Sequence, residues 1–325
     1  MKVAESNASA GWVAGVIGVH RWQLALFPEQ AQEEMWTADA SVMHSSSYAP
    51  TGTARQVSGG YRVSGRWSFS SGCDHCRAVN FGAVAGMRTL GDTELPDFHS
   101  FILYCGQYQI IDNWQTTGMR GTDSKDIVVD DVLVPEHGSQ SHLDYAFNIS
   151  LPGREKNDDV LYRLPWAPVF NLALAGAVIG SAQAFLDTWL RETLTRTIPF
   201  SGPAADDPLF QQRAAEAMWT VDAARLRIRA DATMMWETAS SGEVLDAPAR
   251  ARVRWNTNHA LECIGAMVGT LMRAASGRAI FEAHPLRRLS ADIQGMVGHA
   301  FLVPDPLARA VGGVAPGSQK PTGVM

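Results

Sequence analysis

The sequence predicts an α+β protein: shortened N-terminal helices, a central antiparallel β domain and a C-terminal helical bundle. Three observations predict it. Apolar residues recur at three- and four-residue spacing near the N-terminus. A block rich in Gly, Ser and β-branched residues, with short alternating runs, follows. Long apolar segments with helix-start signals fill the second half. Strands gathered in one block, with helices on either side of it, do not fit the alternating order of a doubly wound α/β sheet.

The expected domains are 1–36, 37–150 and 151–325. In the first, Trp12, Val13, Val16, Val19, His20, Leu24 and Leu26 mark helical faces, and Pro28 interrupts them. In the second, Gly59-Gly60 predicts a turn into a strand over 61–69, and residues 126–134 form a further strand-like run closed by Pro135. In the third, 167–193 is apolar on nearly every side, as a bundle-core helix should be. Asn171, Ser181 and Gln183 interrupt that run, so no membrane span is expected. Asp206-Asp207-Pro208, with a capping carboxylate and Pro in the first turn, starts a helix reaching about 238. Another covers 247–276 and stops near Gly277, and His284-Pro285 opens one more.

Composition narrows the function. The 325 residues carry 27 Lys and Arg against 33 Asp and Glu, a net charge of −6, which argues against a nucleic-acid binder. The first twenty residues lack the charged-then-apolar pattern of a signal peptide, so a cytoplasmic protein is expected. Four cysteines (Cys73, Cys76, Cys105, Cys263) are too few for a disulfide scaffold. Cys73 and Cys76 form a lone CxxC with no second pair at zinc spacing, so no metal site is expected. Gly11, Gly15 and Gly18 have the wrong spacing for a dinucleotide loop and lie in a helical pattern, so no nicotinamide site is expected either.

The most informative segment is Gly65-Arg66-Trp67-Ser68-Phe69-Ser70-Ser71-Gly72. An aromatic strand ending in hydroxyls and glycine suits a flat ring ligand: aromatic faces pack on the ring, and hydroxyls and amides reach its polar edge. Aromatic strands are more commonly core, and the segment by itself leaves both readings open.

Taken with Gly11-Trp12-Val13, His20-Arg21-Trp22, the run from Ser45 to Pro50, Trp114, the run from Gly118 to Thr122, His284-Pro285-Leu286 and His299, this segment resembles the acyl-CoA dehydrogenase fold. More narrowly, the chain is similar to the oxygenase component of two-component (group D) flavin-dependent aromatic monooxygenases. The p-hydroxyphenylacetate, secoandrostatrienedione and polyketide-pigment hydroxylases are among these. The resemblance implies reduced FMN or FADH2 delivered by a separate NAD(P)H:flavin reductase, with molecular oxygen as co-substrate. It also implies a flavin C4a-hydroperoxide, ortho-hydroxylation of a small phenolic or fused aromatic substrate, and a homotetramer. Relatives carry further helices before Gly11, hence the expectation of a shortened N-terminal domain.

Residue by residue, the resemblance implies that Ser71 faces flavin N5 and Phe69 packs on the ring, with Ser47, Trp67 and Ser70 completing the flavin-binding set. Arg196 would hold the flavin phosphate. His20 and Ser46 would meet the substrate hydroxyl, Arg163 would lie near flavin and substrate, and His299 would orient the peroxide or carry its proton. The other histidines read as structural. The alternatives are an acyl-CoA dehydrogenase, a same-fold flavin N- or S-oxygenase, and a relative that binds without catalysing. The dehydrogenase would need a glutamate base near the position that His299 occupies.

Overall fold

The computed structural model describes residues 1–149 and 151–314; residues 315–325 of the last expected domain lie outside the described residues. The chain divides into a sheet unit (Val16–Gln115 and Thr122–Ala167) and a helical unit (Met1–Gly15, Thr116–Gly121 and the chain from Pro168 onward).

Helices α1 (Lys2–Ser6), α2 (Ala8–Leu24) and α3 (Glu29–Trp36) precede the strands, with Pro28 at the N-cap of α3. The strands are β1 (His44–Val57), β2 (Gly60–Ser70), β3 (Ala78–Leu90), β4 (Thr93–Tyr104), β5 (Gln109–Ile111), β6 (Lys125–Pro135) and β7 (Ser139–Ser141). They form one sheet in the order β5-β6-β2-β1-β3-β4-β7. It departs from the expected antiparallel pattern at one place: β1 and β3 run parallel. The cause is topological. β1 and β2 close a hairpin at Gly60, and β6 occupies the outer edge of β2. After a tight turn at Cys73–His75 the chain runs back against the direction of β2, and the open edge is that of β1.

Trp67, Phe81, Phe101 and Ile127 are fully buried in the sheet-unit core with Val63, Val79 and Leu103. Trp67 stacks on Phe81, with ring centroids 4.6 Å apart, and its indole N–H donates to the Gly82 carbonyl at 2.8 Å. A Cβ added at Gly52 would stand 1.9 Å from Trp67 Cζ2, so only glycine lets β1 pass this ring. Two short helices of this unit, α4 (His142–Phe147) and α5 (Gly153–Lys156), carry no strong sequence signal.

In the second half, α6 (Trp166–Thr195) is followed by a small ribbon of β8 (Thr197–Ile198) and β9 (Gly202–Pro203). Helices α7 (Pro208–Ser240), α8 (Ala247–Ala274), α9 (Pro285–Val297) and α10 (Asp305–Val314) complete the helical unit. The starts of α7, α8 and α9 follow from their caps. Asp207, Asp246 and His284 accept from the amides of Leu209, Ala249 and Leu286, each satisfying a donor that the helix leaves open. By length and composition α6 could cross a bilayer, yet 67% of its apolar window is buried in the fold. Polar pins fix it against α8: the Trp189 indole donates to Leu271 O at 3.0 Å, and the Asn171 carboxamide donates to Asn258.

Candidate active site

Two periodicities build the first cluster, which lies in the sheet unit. Helix positions three apart share a face, so α2 presents His20 and Gln23 together. Strand positions two apart share a face, so β1 presents His44, Ser46 and Tyr48 together, with Ser45 and Ser47 on the other side. His20 Nε2 lies 2.6 Å from Ser46 Oγ. His20 Nδ1 lies 3.4 Å from the Tyr48 hydroxyl, which donates to Gln23 Oε1 at 2.5 Å. Gln23 Nε2 donates to Ser100 Oγ at 3.4 Å, and Ser100 Oγ lies 2.6 Å from His142 Nε2. Asn80 on β3 donates to the Tyr48 oxygen at 3.5 Å. The rings of Phe98, Tyr145 and Trp166 surround His142.

His20 is 2% exposed. Burial, and then the neighbouring His44, push its pKa well below 6.5, while contact with Gln23 opposes the shift. Burial takes His44 to about 4 and His142 to about 3. At neutral pH these are neutral imidazoles, each able to donate from one nitrogen and accept at the other. Burial raises the Tyr48 phenol well above its ordinary value, so this hydroxyl keeps its proton. Gln23, Tyr48, Ser100 and His142 were not singled out as functional in the sequence. Tyr48 follows directly on the Ser45-Ser46-Ser47 run, whereas Ser100 and His142 are distant in sequence and meet only through β4 and α4.

A second group sits at the end of β2. Phe69 has a left-handed φ of +67° and is 67% exposed, with its ring edge-on to Trp114 at 6.0 Å. A bulky residue at positive φ is a genuine outlier, and such outliers concentrate where a ligand is gripped. Next to it the Ser71 hydroxyl is buried and lies 2.8 Å from Ser124 Oγ, itself 2.7 Å from Thr122 Oγ1. An outward aromatic face beside a row of hydroxyls fits a flat ring with a polar edge, so Phe69 and Ser71 could hold an isoalloxazine.

The neighbouring residues of the expected set are placed differently. Trp67 is fully enclosed against Phe81, with its N–H spent on Gly82, so it supports the strand from behind and offers no face to a ring ligand. Ser70 is fully buried with its hydroxyl against Ser45 at 3.0 Å, and the Ser47 hydroxyl donates to the Ser68 carbonyl at 2.6 Å. Both hydroxyls tie β1 to β2. Arg163 is exposed and donates to the Asp158 carbonyl at 3.0 Å; its hydrogen bond stays within its own loop and does not reach His20.

His299 and Arg196 belong to the helical unit. His299 caps the short turn Ala300–Leu302: its Nδ1 accepts from the Phe301 amide at 3.2 Å, and its ring meets Trp12 edge-on at 5.4 Å. His299 is exposed at the surface, yet the chain packed about it lowers its pKa to about 4, so it too is neutral at pH 7. Arg196 donates to Ala274 O at 3.0 Å and lies over the Phe210 ring at 4.6 Å, while its Nε is buried with no hydrogen-bond partner among the described residues. Burial raises the Cys73 and Cys76 thiols to about 11 and about 12, so both stay protonated at neutral pH. No group of three His, Cys, Asp or Glu that could hold a metal occurs among the described residues.

Residues 172–304 match the acyl-CoA dehydrogenase C-terminal domain. The chain is 35% identical over 306 residues to the flavin-dependent monooxygenase oxygenase subunit HsaA of Rhodococcus jostii (strain RHA1), covering 94% of this chain and 79% of that protein. This chain is an oxygenase component of the flavin-dependent monooxygenases. The oxygenase component shares its backbone with the crystal structure of 3-HSA hydroxylase from Rhodococcus sp. RHA1, at a TM-score of 0.88 and 33% identity over 96% of this chain and 79% of that one. It is also 34% identical over 229 residues to the FADH(2)-dependent resorcinol hydroxylase oxygenase component of Rhizobium sp. (strain MTP-10005), covering 69% of this chain and 55% of that protein.

Proposed function

We propose that this oxygenase component hydroxylates a small phenolic or fused aromatic substrate beside its hydroxyl group, using FMN or FADH2 reduced by a separate NAD(P)H:flavin reductase, and molecular oxygen. The observation that carries the proposal is the buried His20–Ser46 pair at 2.6 Å, a neutral base coupled to a hydroxyl inside an aromatic wall. When bound, reduced flavin activates oxygen and supplies one oxygen atom to an electron-rich carbon.

The chain's own residues do the rest. Ser46 accepts a hydrogen bond from the substrate hydroxyl, and His20 Nε2 accepts the Ser46 proton. Because burial makes His20 a weak base, the proton moves as the aromatic ring gives up electrons and its O–H turns acidic. Tyr48, Trp166 and Phe98 keep water from this proton path. Phe69 would pack on the flavin ring, and Ser71, backed by Ser124, would meet its polar edge. In the helical unit, Arg196 would hold the flavin phosphate with the donors it does not spend on Ala274, and His299 Nε2 would carry a proton.

A homotetramer in the cytoplasm belongs to the same proposal. Exposed Trp219 and Leu226, two turns apart on one side of α7, support self-association, because neighbouring large apolar side chains at a surface commonly mark an interface. The test is an assay of the protein with a flavin reductase, NADH and a panel of phenols, with product and hydrogen peroxide both quantified. Hydroxylated phenol is the expected outcome; oxidation of an acyl thioester without oxygen would favour the dehydrogenase.

A further inference from the structure

We infer that Tyr48 and Gln23 are positioning residues that fix the tautomer of His20, holding its proton on Nδ1 and leaving Nε2 free to accept from Ser46. The inference rests on the aromatic-hydroxylase reading and adds to it what sets the direction of proton flow.

Gln23 is completely buried between two hydroxyls. Its side-chain contacts are unequal, 2.5 Å to Tyr48 and 3.4 Å to Ser100. A 2.5 Å separation suits O–H···O and is too short for N–H···O, so the carboxamide oxygen faces Tyr48 and the NH2 faces Ser100. Ser100 Oγ can accept from that NH2 while its own hydrogen goes to His142 Nε2, 2.6 Å away.

A carboxamide oxygen can only accept, so Tyr48 donates its one proton to Gln23. The Tyr48 oxygen is then an acceptor toward its other neighbours. Asn80 Nδ2, which can only donate, is one of them at 3.5 Å. His20 Nδ1 is another at 3.4 Å, and it faces an acceptor, so it carries the hydrogen. In a neutral imidazole the second nitrogen then has a lone pair, and Ser46 must donate to Nε2 across their 2.6 Å contact.

The protons balance. As the substrate O–H breaks, an O–H forms on Ser46; as the original Ser46 O–H breaks, an N–H forms on His20 Nε2. The substrate keeps the electron pair, and His20 becomes imidazolium with both N–H groups directed at oxygen. With the opposite tautomer Nε2–H would point at Ser46 and the path would be blocked.

The test is 15N NMR of imidazole-labelled protein without flavin or substrate, with His20 assigned by a His20→Gln variant. The expected result is the Nδ1–H tautomer in the wild type, a shift toward Nε2–H in Tyr48→Phe, and retention of Nδ1–H in Gln23→Glu, whose carboxylate still accepts from Tyr48. In turnover, Tyr48→Phe should lower the ratio of hydroxylated product to flavin consumed by roughly tenfold, less than the ~10²–10⁴-fold a positioned acid or base contributes, because Tyr48 acts only through His20. Wild-type His20 in the Nε2–H form, or an unchanged spectrum in folded Tyr48→Phe, would overturn the inference. A wild type that hydroxylates no phenol while showing the Nδ1–H form would instead count against the hydroxylase reading.

Discussion

Four serines and two aromatics separate the working side chains of this protein from the supporting ones. Ser46 points at a buried imidazole and Ser71 at a hydroxyl chain, while Ser47 and Ser70 spend their hydroxyls joining β1 to β2. Ser46→Ala should therefore cost on the order of a hundredfold in hydroxylation rate, the typical worth of a positioned proton acceptor, measured as product formed under saturating reduced flavin. Phe69→Ala should leave urea stability within about 0.5 kcal/mol, since the ring is exposed, yet weaken flavin binding in an anaerobic titration. Trp67→Ala should do the reverse, losing about 3–5 kcal/mol of stability for a fully buried ring. Sequence pattern alone cannot sort this pair. Trp67 and Phe69 are two positions apart, and a regular strand would put them on one face. The left-handed φ of Phe69, with a register shift between Trp67 and Ser70, turns one ring outward and leaves the other inside.

The helices and strands differ in how far local sequence specifies them. Two helices were readable at their starts because Asp206-Asp207-Pro208 and His284-Pro285 each place a cap before a helix-compatible first turn, whereas the Asp246 cap of α8 emerges only in the structure. The parallel pairing of β1 and β3 was not readable, because it follows from which strand edge is free, a property of the assembled sheet. The polar cluster shows the same contrast. Ser46 and Tyr48 lie in one strand run, but Gln23, Ser100 and His142 come from three other elements, and no local spacing links them. Close packing between strands gives a sharp test: Gly52→Ala drives a methyl into Trp67 and should cost about 1–3 kcal/mol, read as a lower urea midpoint with an unchanged slope.

Taken together, the buried neutral histidines couple the fold to pH. His20, His44 and His142 all have folded-state pKa values depressed by burial below 6.5, the latter two to about 4 and about 3. Below pH 6.5 the unfolded chain binds protons that the folded chain refuses, so stability is fully present above that pH and falls as pH drops toward 4. Urea midpoints recorded from pH 8 to pH 4 should decline mainly in the lower half of that range; a flat profile there would mean that these rings are solvated. The exposed apolar residues of α7 bear on assembly: light scattering should return the mass of four chains, and a charge placed at Trp219 or Leu226 should reduce it. The most direct measurement of the whole account follows the fate of each oxygen molecule when protein, reduced flavin and a phenol are mixed. Wild type should return hydroxylated phenol as the main product, whereas His20→Ala should bind flavin normally and return hydrogen peroxide instead. Equal yields of hydroxylated phenol from both proteins would contradict the account.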